Sequence, residues 1–101
     1  MAAININESN FQSEVLNAGS KVLLDFWAPW CGPCRMVVPI VEQIAEERPD
    51  IKVGKVNIDE QPELAQQFGV MSIPTLVVME EGKVLRQSIG AKPKHAILSM
   101  L

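Results

Sequence analysis

Ile4 and Ile6 alternate with polar neighbours, the pattern of a short strand. Asn7-Glu8-Ser9-Asn10 then supplies N-cap side chains for a helix through Phe11, Val15 and Leu16 that ends at Ala18-Gly19-Ser20. From Val22 to Trp27 the chain is nearly continuous in apolar character, as in a strand buried on both faces of a parallel sheet. Beyond Cys34, Val37, Val38, Val41, Ile44 and Ala45 recur at helical spacing, while Arg35, Glu42, Gln43, Glu46, Glu47 and Arg48 take the other face. Pro39 removes the bond to the Arg35 carbonyl and predicts a kink, and Pro49-Asp50 closes this helix. Ile51 to Ile58 form the next strand, and Asp59-Glu60-Gln61-Pro62 opens a short helix that runs to Phe68 and stops at Gly69. Thr75 to Met79 and Lys83 to Ile89 flank Glu80-Glu81-Gly82 as a hairpin, with Gly90 a bend or bulge after it. After Pro93, residues Ala96, Ile97, Met100 and Leu101 give a final helix one apolar face. The order β-α-β-α-β-α-β-β-α predicts an α/β fold with one hairpin edge. With no repeat, low-complexity tract or linker, residues 1–101 read as a single domain.

Composition narrows the function classes. A content of 48% hydrophobic and 21% charged residues is that of a soluble globular protein. The net charge of −3 argues against nucleic acid or an anionic membrane as partner. No apolar stretch approaches the ~20 residues that span a bilayer. Met1 to Asn7 lack a basic start and an apolar core, so no signal peptide is expected. The expected location is the cytoplasm, or an organelle stroma where a transit segment has been removed.

The chain holds two cysteines, Cys31 and Cys34, with Gly32 and Pro33 between them. Two sulfurs at this spacing close into a small ring or reopen with little backbone movement, a two-electron switch. Zinc ligation and a resting disulfide are the alternatives; with His95 the single histidine, a closed four-ligand zinc site cannot be built from the nitrogen and sulfur ligands of one chain. A thiol at its free pKa of ~8.5 is only a few per cent thiolate at neutral pH. Cys31 lies at a strand-to-helix junction, where unpaired N–H groups and the helix dipole favour negative charge, so it is expected to be the exposed nucleophile. Cys34, one step into the helix, is expected to be buried and to act as the resolving thiol. Gly32 and Pro33 fit a tight turn feeding that helix. Asp25 interrupts the apolar run and has two readings. It either reaches solvent at a strand edge, or is buried with a raised pKa and accepts a proton from Cys34.

The stretch Phe26-Trp27-Ala28-Pro29-Trp30-Cys31-Gly32-Pro33-Cys34 resembles the active site of the thioredoxin family almost letter for letter. Asp25, Pro39, Lys55, Ile73-Pro74-Thr75, Gly82 and Gly90-Ala91 stand in that family's order around it. The resemblance covers essentially the whole chain and implies a thioredoxin fold, a central mixed β-sheet flanked by helices on both faces. It implies a general protein-disulfide oxidoreductase that reduces exposed disulfides of substrate proteins. A thioredoxin reductase, NADPH- or ferredoxin-linked, would recycle it. In that reading Cys31, Cys34 and Asp25 are catalytic, with Gly32, Pro33, Lys55 and Pro74 in support. Lys55, on the strand facing Asp25, is its natural neighbour, and the Ile73–Pro74 bond is cis. Trp30, Ile73, Pro74, Gly90 and Ala91 contact substrate, and Gly69-Val70-Met71 complete an apolar rim. The resemblance also implies a monomer with no cofactor or metal beyond the Cys31–Cys34 disulfide.

Trp27 is expected to pack under the site, His95 to be solvated surface, and Met36 and Met79 to fill core or edge. Proline rather than histidine at position 33 favours a reductant. Two departures from the family pattern are noted: Met79 and Glu80 where an aromatic and a lysine are frequent, and Phe68 where tyrosine is often found. Two other activities share these residues, a thiol oxidase or isomerase of the same fold and a non-catalytic binding subunit using the same surface.

Overall fold

The apolar run from Val22 to Trp27 becomes the middle strand of a five-stranded sheet in a computed structural model that describes residues 2–101. In chain order the elements are β1 (Ile4–Asn5), a π-helix (Gln12–Leu16), β2 (Val22–Trp27), α1 (Cys34–Glu47), β3 (Lys52–Asn57), α2 (Pro62–Gln67), β4 (Thr75–Glu80), β5 (Lys83–Ile89) and α3 (Lys94–Leu98). The sheet order is β1-β3-β2-β4-β5. β3 runs parallel to β1 and β2, whereas β4 is antiparallel to both β2 and β5, so the sheet is mixed.

Side-chain alternation along β2 divides the core in two. Val22, Leu24 and Phe26 pack with Phe11, Val15, Leu64 and Ala65, which places the π-helix and α2 on one face. Leu23 packs with Val37, Val41, Ile44 and Ile97, which places α1 and α3 on the other. Both faces of β2 are therefore covered, the arrangement expected of a nearly continuous apolar strand. Asp25, two residues beyond Leu23, shares the α1 face. Gly54 on β3 is required by close packing: a β-carbon there would lie 2.6 Å from Ile6 Cγ1 and 3.0 Å from Leu24 Cδ2.

Three local features differ from the sequence expectation. The first predicted helix forms as a π-helix rather than an α-helix, with α-type bonds from the Phe11 and Glu14 N–H groups to the Asn7 and Asn10 carbonyls at 3.0 and 2.8 Å before the Asn17 N–H closes on the Gln12 carbonyl at 2.9 Å. Asn7 and Asn10 tie off its start, each side chain accepting the other's backbone N–H at 3.0 and 2.8 Å. The π-helix leaves Phe11 and Val15, four residues apart, both buried against the sheet. Gly90 is a bend, one of the two forms expected of it, and a bulge not anticipated falls at Leu85, because Val78 pairs with Arg86 while Met79 pairs with Val84. Nearly all of β5 is exposed, so no buried face dictates its register. Val38, finally, is only half-buried at the edge of the α1 stripe, while Pro39 lies inside α1 as the sequence placed it.

Candidate active site

β2 ends at Trp27, and the chain turns through Ala28-Pro29-Trp30 before α1 begins at Cys34. The Cys31 N–H closes this turn on the Ala28 carbonyl at 3.1 Å. Gly32 and Pro33 carry the chain into the helix, their carbonyls accepting from Arg35 and Met36 at 3.0 and 3.1 Å. No oxygen side chain caps α1. The Cys34 N–H instead donates to Cys31 Sγ at 3.2 Å, so a sulfur occupies the place of the usual capping oxygen.

Cys31 and Cys34 are joined as a disulfide with their Cα atoms 5.3 Å apart, within the ordinary range for such a bond. Cys34 is 1% exposed, as expected of an inner sulfur, and Cys31 is 5% exposed. The expectation of an exposed Cys31 is therefore corrected for the oxidised state. Its sulfur is bonded inward, packs with Ala28, Trp27 and Ile73, and lies 3.9 Å from the Ile73 carbonyl oxygen. The Ile73–Pro74 peptide is cis, as the resemblance implied. Pro74 is buried, and its carbonyl accepts the Gly90 N–H at 2.8 Å, which brings Gly90-Ala91 beside Ile73-Pro74.

Trp30, next to Cys31 in the chain, is 64% exposed, and Met71, two residues before Ile73, is 96% exposed. Met36 is exposed as well, which corrects its expected role as filler, while Met79 is buried in the core. His95 is exposed on α3, as expected. The Trp30 indole N–H donates to Asp59 Oδ2 at 2.9 Å, a partner 29 positions away that the sequence alone does not mark as a site residue. The sequence signal there is a turn cluster, Asn57-Ile58-Asp59, in which Asn57 Oδ1 accepts the Asp59 N–H at 2.9 Å. Trp27 packs against the disulfide, with its indole nitrogen buried and without a hydrogen-bond partner among the described residues.

Asp25 is wholly buried, and neither carboxylate oxygen has a hydrogen-bond partner among the described residues. The strand-edge reading is thereby excluded. Burial pushes its pKa up to about 7, against the opposing pull of the Lys55 ammonium. Lys55 is Asp25's register partner on β3. Its ammonium, however, lies 2.9 Å from Glu42 Oε2 on α1 and 5.9 Å from the Trp27 ring centroid. The hydrogen bond to Lys55 holds the Glu42 carboxyl below its ordinary value. In the sequence Glu42 stands only as part of the polar face of α1. Its pairing joins residues 13 positions apart across two layers. Among the described residues, no group of three or more His, Cys, Asp or Glu side chains is placed to hold a metal ion.

The thioredoxin family model matches residues 2–101. The chain is 48% identical over 101 residues to Thioredoxin 1 of Nostoc sp., covering 99% of this chain and 94% of that protein. It is 47% identical over 97 residues to Thioredoxin 1 of Synechococcus elongatus, covering 95% and 91%. Against Thioredoxin of Mycobacterium tuberculosis the identity is 46% over 101 residues, covering 99% and 87%. With that likeness spanning the sheet, its helices and a bonded Cys31–Cys34 pair, this chain belongs to the thioredoxin family and is a thiol–disulfide oxidoreductase with protein-disulfide reductase activity.

Proposed function

We propose that the protein is a general reductant of exposed disulfides in other proteins, with Cys31 as nucleophile, Cys34 as resolving thiol and Asp25 as proton acceptor. The observation that carries the assignment is the Cys34 N–H aimed at Cys31 Sγ from the start of α1, where it stabilises a thiolate on that sulfur. In the reduced protein the Cys31 thiolate attacks one sulfur of a substrate disulfide. A mixed disulfide forms, and the first substrate sulfur leaves as a thiolate and takes up a proton. Cys34 gives its proton to Asp25 and attacks Cys31 Sγ. The mixed disulfide breaks, the second substrate sulfur leaves, and two electrons have passed to the substrate as Cys31–Cys34 closes.

Trp30, Ile73, Pro74, Gly90 and Ala91 form the substrate face, with Gly69-Val70-Met71 completing its apolar rim. An extended substrate segment pairs with the backbone at Ile73 by strand addition. Gly32 and Pro33 shape the turn, and Lys55 tunes Asp25. The oxidised pair is returned to the dithiol by a thioredoxin reductase, either NADPH- or ferredoxin-linked. The protein works as a monomer and a single domain, without a further cofactor, in the cytoplasm or an organelle stroma, where the thiol pool is kept reduced. Reduction of insulin disulfides, supported by each reductase in turn, tests the reading. Turnover with one reductase is expected, and no turnover with either overturns it.

A further inference from the structure

Lys55 is the residue that register places beside Asp25, yet its ammonium is bonded elsewhere. Glu42 takes it at 2.9 Å with Oε2, while Glu42 Oε1 accepts the Ala3 backbone N–H at 2.8 Å. The Glu42 carboxylate is therefore fixed at both oxygens, one by the chain just before β1 and one by Lys55. The Trp27 ring flanks the same ammonium at 5.9 Å. Few charged or titratable groups bear on Asp25. Lys55 from β3 is the charged group that pulls on it, Glu42 on the helix covering this face holds that ammonium, and the register partner of Asp25 on β4 is the apolar Leu76.

We propose that Glu42 is a positioning residue for the exchange reaction: by holding the Lys55 ammonium toward α1, it denies Asp25 a direct ionic hydrogen bond and leaves that carboxyl unpartnered. A Lys55 bonded to Asp25 would keep it a stabilised anion, a weak base toward a thiol. With Lys55 drawn off, burial dominates, in line with the direction of the Asp25 shift. The proposal rests on the reading of Asp25 as proton acceptor, and its test separates the two.

The Asp25 carboxyl is titrated by NMR in the oxidised protein, where the cysteines carry no titrating thiol. Glu42→Gln keeps the side-chain size, removes the charge and weakens the hold on Lys55. It is expected to lower the Asp25 midpoint by about one pH unit, a tenfold change in proton affinity. Glu42→Asp, charged but one methylene shorter, is expected to give a smaller downward shift. In a Lys55→Met background the Glu42→Gln shift is expected to fall to less than half. An unchanged or raised midpoint, or an equal shift in both backgrounds, overturns the proposal. A purely structural role would lower the melting temperature without moving the midpoint, which also overturns it. The pH dependence of mixed-disulfide resolution is then measured in the same variants. A rate profile that follows the midpoint supports both readings. A midpoint that moves while the rate profile stays supports the Glu42–Lys55–Asp25 coupling and removes Asp25 as the proton acceptor.

Discussion

The Cys34 N–H lies 3.2 Å from Cys31 Sγ, so the helix that carries one cysteine is capped by the other. Local chain geometry thereby makes the two sulfurs unequal. Cys31 Sγ receives a backbone N–H at the positive end of a 14-residue helix, whereas Cys34 is enclosed within that helix's first turn.

That inequality predicts different outcomes for the two serine variants. Cys31→Ser is expected to abolish disulfide reduction. Cys34→Ser is expected to attack once and remain covalently bound to substrate, an adduct that mass spectrometry detects and a thiol reductant releases. In the reduced wild type, Cys31 is expected to react with iodoacetamide well before Cys34 at pH 7, with a midpoint below the free-thiol value of ~8.5. Complete loss in both variants with no adduct would contradict these roles.

Asp25 carries a pH-dependent cost to stability. Its folded value of about 7 lies above the ordinary 3.8, so the folded chain binds the proton more tightly than the unfolded chain does. Stability is then greatest below the unfolded value and falls as pH rises through the window up to about 7. Full expression of that shift corresponds to roughly 4 kcal/mol, at about 1.4 kcal/mol per pH unit. Urea unfolding of the wild type between pH 4 and pH 8 is expected to show this decline, and Asp25→Asn to flatten it. The same variant is expected to slow mixed-disulfide resolution on the order of 100-fold, as for loss of a general base.

Trp30 is held by Asp59 through a 2.9 Å bond that leaves most of the indole in solvent. Asp59→Ala frees the ring without altering the sulfurs. The expected result is a rise in KM for a protein disulfide of roughly fivefold, about 1 kcal/mol, with kcat little changed. Asp59→Asn retains an acceptor and is expected to recover most of the loss. Stopped-flow reduction of insulin by the reduced protein measures both.

Gly54 tests the packing beneath β1. An alanine there would place its methyl 2.6 Å from Ile6 Cγ1 and 3.0 Å from Leu24 Cδ2. Overpacking of this kind costs about 1–3 kcal/mol. Gly54→Ala is expected to lower the urea midpoint accordingly with an unchanged m-value, while Cys31 reactivity in the folded protein stays as in the wild type.

The elements legible in the sequence are those whose cause is local or periodic. β2 follows from an apolar run broken only by Asp25, and α1 from valines and isoleucine at helical spacing. The hairpin turn follows from Glu81-Gly82, both in the left-handed region at φ +52° and +74°. Phe11 to Leu16 are helical as expected, but apolar spacing over so few residues does not separate an α-helix from a π-helix. Met36 misled because a methionine just before Val37-Val38 reads as core or edge filler, whereas the helix face it occupies points to solvent.

The sequence by itself determined the redox pair. Two cysteines three positions apart at the start of a helix are brought together by helix geometry alone, and their unequal surroundings follow from which one precedes the first turn. Only the tertiary structure decided what governs the proton. Asp25, Lys55, Glu42 and the Ala3 N–H meet from two strands, a helix and the segment leading into β1, with Ala3 and Glu42 separated by 39 positions. Charged side chains choose partners by reach and by the solvent they lose, and neither quantity exists until the layers have packed.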